Sequence, residues 1–217
     1  MVNTPLAASP KPAKPRSIKP LIAILLVSLA PVVLALLAYY VPALGLRPEN
    51  SNNYGTLINP QRSLPANEAL SLTTLDGKPF DLHSLRGKWV LLTADQGACP
   101  ESCVTKLFIL RNSHASQGKN VDRVTRVWFV TDNAPIPEKI LEAYKGTIIV
   151  RADPKQLAAY LAPKAATTEA AQTNAALAAP MWVIDPIGNL MLEFPANAEP
   201  VSVRKDISKL LYNSRIG

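Results

Sequence analysis

The two cysteines of this 217-residue chain stand four positions apart, in Cys99-Pro100-Glu101-Ser102-Cys103. Upstream, Lys88-Trp89-Val90-Leu91-Leu92-Thr93-Ala94 has the continuous apolar character of a strand buried on both faces. Downstream, Val104, Leu107 and Phe108 recur at helical spacing, and proline is favoured in a helix's first turn. The pair therefore opens a helix. There, backbone N–H groups and the positive end of the helix dipole stabilise a Cys99 thiolate, lowering its pKa from about 8.5. Cys103, one turn on, shares that face and can act as a resolving thiol or as a second soft-metal ligand. A structural disulfide or two inert core thiols would satisfy the same residues, and at this point both readings stand.

The elements that must position the pair are legible from Ala69 onward. Leu70–Leu75 and Lys78–Leu82 flank Asp76-Gly77, a strong hairpin signal. His83 follows in a loop-like turn, where a surface histidine needs no ligand to explain it. Arg123–Thr131, with β-branched and aromatic residues, predicts a second buried strand. Pro137 begins a short helix through Tyr144, and Thr147–Val150 predicts a third strand. Asp153-Pro154 supplies an N-cap and a first-turn proline for a helix to about Ala162. Strand and helix alternate, as around a parallel sheet. Residues 164–179 are low in complexity, an exposed helix or a mobile insertion, and carry no chemistry in this reading. Met181–Ile184 is a strand, Asp185–Asn189 a turn, and Leu190–Phe194 returns antiparallel. Ser202–Asn213 shows Val203, Ile207, Leu210 and Leu211 on one face, with Ser as its cap.

Ahead of this domain the chain has a different character. Leu21–Leu46 contains no charged residue and exceeds the ~20 residues needed to cross a bilayer. Pro31 is expected to kink it, and Tyr39 and Tyr40 suit the membrane interface. Lys11, Lys14, Arg16 and Lys19 precede it with no acidic residue. The positive-inside rule then keeps the N-terminus cytoplasmic and sends the rest across. A cleaved signal peptide would have a shorter apolar core, about 7–15 residues, so an uncleaved anchor is the reading. The organisation is a basic tail over 1–20, a transmembrane helix over 21–46, a polar linker over 47–68 and a domain over 69–217. Tyr54-Gly55 reads as linker packing. Four of the seven net positive charges sit in the tail, so charge reports topology. Neither basic clusters nor interleaved aromatics recommend nucleic acid.

The succession from hairpin to final helix resembles the thioredoxin superfamily: a central mixed sheet flanked by helices. The spacing in CPESC resembles the CPxxxC pair of the Sco/SenC family, membrane-anchored proteins of cytochrome c oxidase copper-site assembly. Leu75–Phe80, Leu85–Val90 and Ile184–Gly188 resemble segments of that family. GKWVLLTADQGAC, RVWFVTD, DPIGNLMLEFP and the terminal SRIG resemble small transmembrane proteins associated with bacterial cytochrome oxidase assembly. The resemblance implies an inner-membrane protein with a periplasmic domain, and oxidase subunits or assembly factors as partners.

The resemblance also implies a copper site of two cysteines and a histidine, and here the sequence departs from it. Leu177 falls where the family carries the histidine, and no histidine follows His114. If helical, His114 lies about 16 Å along the axis from Cys103. Thioredoxins also place a cis-proline before the strand that matches Met181–Ile184, and Pro180 holds that position, with both isomers open. If cis, it would shape a substrate groove beside Cys99. Three functions follow: thiol–disulfide exchange through Cys99 and Cys103, Cu(I) carriage by the two thiolates, and a non-catalytic assembly scaffold stapled by a disulfide. Nothing resembles the Thr-x-x-Cys pattern of peroxidatic cysteines.

Overall fold

The computed structural model describes residues 17–41 and 53–217. They belong to two units, an apolar helix and a domain. Helix α1 (Lys19–Tyr40) runs through Pro31, about 33 Å in length. Its mean hydropathy of 2.9 makes it long and apolar enough to cross a membrane. Ser28 donates its hydroxyl to the Ile24 carbonyl at 2.8 Å, which satisfies a polar group within the helix itself. Lys11, Lys14 and Arg16 and the apolar residues 42–46 lie outside the described residues.

The domain is built on one sheet of strands β1 (Thr56–Ser63), β2 (Leu72–Thr74), β3 (Pro79–Phe80), β4 (Trp89–Asp95), β5 (Val124–Val130), β6 (Ile148–Ala152), β7 (Met181–Ile184) and β8 (Asn189–Phe194). Their spatial order is β1-β8-β7-β4-β5-β6-β2-β3. Helices α2 (Glu101–Ala115), α3 (Glu138–Ala143), α4 (Pro154–Leu161), α5 (Ala170–Ala178) and α6 (Pro200–Asn213) complete it. Strands β4, β5 and β6 are parallel, with α2 and α3 on the connections between them, and β7 joins β4 antiparallel. The sheet is therefore mixed, with helices on both faces, which is the thioredoxin-like arrangement.

Every residue of β4 is buried, and the two-residue period of a strand divides its side chains between two cores. Val90, Leu92 and Ala94 pack with Leu157, Leu161 and Leu177 of α4 and α5. Trp89 and Leu91 pack on the other face with Leu110 of α2 and Ile207 and Leu211 of α6. A third cluster gathers Cys99, Cys103, Leu107, Trp128, Val130, Ile140 and Tyr144.

Three local differences from the sequence reading have physical causes. Residues 56–63, read as linker, form an edge strand paired to β8. Backbone pairing at an edge requires no apolar alternation, so the polar sequence hid it. Gly55 and Tyr54 pack as expected: the Gly55 amide donates to Asp206 Oδ2 at 2.8 Å, and Tyr54 stacks on Phe194. The final helix begins at Pro200, two residues before the expected Ser cap. Glu199 caps it instead, its carboxylate accepting from the amides of Val201 and Ser202 at 3.0 and 2.6 Å.

The low-complexity stretch 164–179 holds α5, neither exposed throughout nor loosely attached. Leu177 and Thr173 are fully buried, and the Thr173 hydroxyl donates to the Ala165 carbonyl at 2.9 Å. Alanine-rich composition concealed the single apolar anchor. Leu177→Ala is expected to lower unfolding stability by about 2–5 kcal/mol, measured by chemical denaturation. A loss below about 0.5 kcal/mol, the range of surface substitutions, would place α5 outside the cooperative core.

Candidate functional site

The site is built at the carboxyl end of β4, where the strand passes through Gln96–Pro100 into α2. Asp132, just beyond β5, receives the Gly97 amide at 2.8 Å and the Ala134 amide at 3.2 Å on one carboxylate oxygen. Gly97 is required there: a Cβ would stand 2.5 Å from the Ala134 carbonyl oxygen. Arg151 of β6 closes the same corner, donating to the carbonyls of Asp132 and Ala134 at 2.5 and 3.2 Å. The segment before the cysteines is thus tied to the loop after β5, and that loop in turn to β6.

Cys99 and Cys103 form a disulfide, with Cα atoms 5.1 Å apart. The expectation of one shared helical face is not met: α2 starts at Glu101 with Pro100 as its N-cap, so Cys103 lies in the first turn while Cys99 precedes the helix, and the left-handed turn at Cys99 brings the sulfurs together. Cys99 has φ +47°, a left-handed conformation that costs a non-glycine residue energy and is held only where its surroundings over-determine it. No side chain caps α2, and the first intrahelical bond is from the Val104 amide to the Pro100 carbonyl. The amides of the first turn are therefore free of intrahelical partners beside Cys99. Cys103 is fully buried, whereas Cys99 retains 6% of its surface.

Three residues beyond Cys103 on α2 is a buried ion pair that the motif reading missed. Lys106 Nζ donates to Asp95 Oδ2 at 2.9 Å and to the Ala94 carbonyl at 3.1 Å. Its third bond is to the Ala178 carbonyl. Both side chains are nearly inaccessible. Burial pushes the ammonium pKa down from its usual value, and the Asp95 carboxylate pulls it back. Three donors meet three acceptors, so the charge is fully satisfied. Lysine at 106 joins Cys103, Leu107 and Leu110 on the buried helical stripe, and a cation on such a stripe was the available signal.

Pro180 is buried at the start of β7. Its preceding peptide is trans; among the described residues the cis bond is Asn59–Pro60. Pro180 lines a cavity of about 440 Å³ with Arg62, Trp182 and Glu193. Ala178 and Ala179, just before it, line a separate groove of about 260 Å³ with Ser102, Thr105 and Asn197, along α2. His83 sits on a one-turn helix with its Nδ1 3.0 Å from Asp81 Oδ1. His114 is in the last turn of α2, remote from the helix start. Leu177, at the position where a third copper ligand was expected, packs in the α4–α5 core rather than in the cysteine cluster. Among the described residues no group of three or more His, Cys, Asp or Glu converges as a metal site. A three-ligand copper centre does not fit the residues present.

A mixed sheet flanked by helices, with a cysteine pair at the start of the helix that follows a central parallel strand, defines a thioredoxin-fold protein. The sequence profile described as "Transmembrane-like, thioredoxin-like, C-terminal domain" matches residues 89–214, and the chain belongs to that family. Copper-bound ScoI of Arabidopsis thaliana superimposes with a TM-score of 0.51 at 17% identity, covering 74% of this chain and 99% of that one. Copper-bound yeast Sco1 gives 0.52 at 14% identity, covering 72% and 96%. A putative electron transfer protein of Aquifex aeolicus gives 0.50 at 16%, covering 69% and 96%. At these identities the likeness is one of fold. No curated protein matches the sequence.

The Lys106–Asp95 pair yields a test by double-mutant cycle. Lys106→Met and Asp95→Asn each remove a partner of a buried charge, and Lys106→Met is expected to cost about 3–5 kcal/mol. The double variant should cost less than the sum by about 1–3 kcal/mol in urea denaturation. Additivity within about 0.5 kcal/mol would show that the two groups do not act as a pair.

Proposed function

We propose that this chain is a membrane-anchored thiol–disulfide exchange protein that works through Cys99 and Cys103 in cytochrome c oxidase assembly. The observation that carries the reading is the asymmetry of the pair. Cys99 keeps some surface and stands beside first-turn amides without intrahelical partners, whereas Cys103 is sealed behind it. Of the two residues, Cys99 is thus the one a partner would meet first.

The exchange balances without a further reagent. A partner thiolate attacks Cys99 Sγ, a partner–Cys99 disulfide forms, and the electron pair of the broken bond leaves on Cys103. A second partner thiolate then attacks its own sulfur in the mixed disulfide and expels the Cys99 thiolate. The partner dithiol has lost two electrons to become a disulfide, and this chain has gained them as two thiolates, which take up the partner's two protons. The same steps in reverse reduce a partner disulfide, and the relative potentials set the direction. The dipole of α2 and its first-turn amides favour the Cys99 thiolate as nucleophile or leaving group. Pro180 fixes the course of Ala178 and Ala179, one wall of the groove beside α2 along which a partner segment approaches.

The apolar helix preceded by Lys11, Lys14, Arg16 and Lys19 supports a single-pass anchor in the bacterial inner membrane, with a cytoplasmic N-terminus and a periplasmic domain. A disulfide suits that oxidising compartment. The partners are oxidase subunits or assembly factors, a reading that rests on the Sco-like segments and fold. Copper, bound in the two Sco structures, would here have only the two sulfurs as ligands.

In cells, Cys103→Ser should trap a mixed disulfide through Cys99, resolved by non-reducing electrophoresis and mass spectrometry, and the Cys99/Cys103 double serine variant should fail to support oxidase assembly. Normal assembly in the double variant would leave the disulfide a structural staple. Reduced protein titrated anaerobically with Cu(I) is expected to lose the metal to a competitor stronger than glutathione. Retention of one Cu(I) per chain would move the reading to copper carriage.

A further inference from the structure

The face of α6 that turns from the sheet combines cations with an unusually open aromatic ring. Val203, Ile207 and Leu211 bury the inner face. On the outer face Lys205 and Tyr212 fall in one stripe by helical spacing, flanked by Arg204 and Lys209, all exposed. Tyr212 is 88% exposed, although a tyrosine ring normally finds apolar cover. Asp206 turns inward to the Gly55 amide, and the exposed Glu199 carboxylate at the helix start is engaged by the Val201 and Ser202 amides, with Lys205 also near enough to favour its charged form. The tail that follows is held in place: Arg123 donates to the carbonyls of Leu211, Ser214, Ile216 and Gly217 at 2.7–2.9 Å. Arg215 and Ile216 are therefore displayed from a fixed backbone, and Ile216 is 55% exposed.

This face is also where the chain enters the domain. Lys209 Nζ donates to Asn53 Oδ1 at 3.3 Å, and the Glu199 amide donates to the Tyr54 hydroxyl at 2.9 Å. Twelve residues, 41–52, separate this point from the end of α1, a reach of at most about 43 Å. A tether of that length keeps the face at high local concentration near any bilayer that α1 occupies, so weak headgroup contacts suffice. Cations with an amphipathic ring and an aliphatic tip are the residue types that settle among anionic headgroups.

We infer that the outer face of α6 and the tail Ser214–Gly217 form a docking surface for anionic phospholipid headgroups, with Lys205 and Arg215 meeting phosphates and Tyr212 and Ile216 entering the interface. This rests on the anchor reading of α1 given above. Docking would hold the domain beside the bilayer, within reach of the membrane-embedded subunits proposed as its clients.

The test uses the full-length chain reconstituted into lipid nanodiscs of phosphatidylcholine alone or mixed with phosphatidylglycerol, read by hydrogen exchange of α6 and the tail. Protection is expected in the anionic discs, absent in the neutral ones, and reversed by high salt. Lys205→Gln with Arg215→Gln should reduce docking by about fivefold per cation removed, and Tyr212→Ser should reduce it further. Lys209 is left intact because it also holds Asn53. Circular dichroism and unchanged exchange in β4 and β5 confirm that the variants fold. Exchange that is the same in both discs would overturn the inference while leaving the anchor intact. A chain that does not stay with the discs would overturn the anchor and the inference together. Protection that rises with the number of chains per disc, regardless of lipid charge, would assign the face to a second copy and overturn it as well.

Discussion

One ammonium group organises the surroundings of the disulfide. Lys106 sits on the buried stripe of α2 and sends its three hydrogens to the Asp95 carboxylate, the Ala94 carbonyl and the Ala178 carbonyl. A charge that deep tolerates no missing partner, because an unpaired buried ion costs several kcal/mol. The end of β4, the cysteine helix and the segment leading into β7 must therefore all be in place together. None of the three can drift without stranding a charge or a carbonyl.

That constraint explains how an unfavourable local conformation persists at Cys99. The residue adopts a positive φ between a glycine pressed against the Ala134 carbonyl and a helix whose lower turns are bolted by Lys106. Asp132 and Arg151 hold the other side of the turn. The disulfide then lies against Trp128, Val130, Ile140 and Tyr144, an apolar bed that seals Cys103 and leaves what surface the pair retains on Cys99. Rigid surroundings and an asymmetric pair are what a sequential exchange requires, since the order of attack is set by access.

The relation to copper-binding Sco proteins is one of scaffold. The likeness covers the fold, and in this chain the segment before β7 is structural. It forms α5, plugs the core with Leu177 and offers the Ala178 backbone to Lys106. A side chain that fills a core from that position cannot also reach the cysteines on the opposite face.

Much of this was legible in the residues. Apolar runs, Asp76-Gly77, Asp153-Pro154 and the helical spacing after Cys103 follow rules of local geometry, so the strands β4, β5 and β7, the hairpin and helices α2 and α4 could be placed from sequence. The cysteine spacing marked the helix start, although Cys99 itself lies before the helix and not on its face. What sequence could not place depended on partners distant along the chain. The edge strand 56–63 exists because β8 offers it hydrogen bonds, α5 is anchored by Leu177 reaching a core assembled from other strands, and the Lys106–Asp95 pair joins the far end of β4 to the second turn of α2. The sequence by itself determined the chemistry available, two thiols at a helix start beside an apolar anchor. Tertiary structure alone decided that Cys103 is sealed while Cys99 keeps some surface, and that Leu177 fills the core on the opposite face of the sheet, because burial is a property of packing.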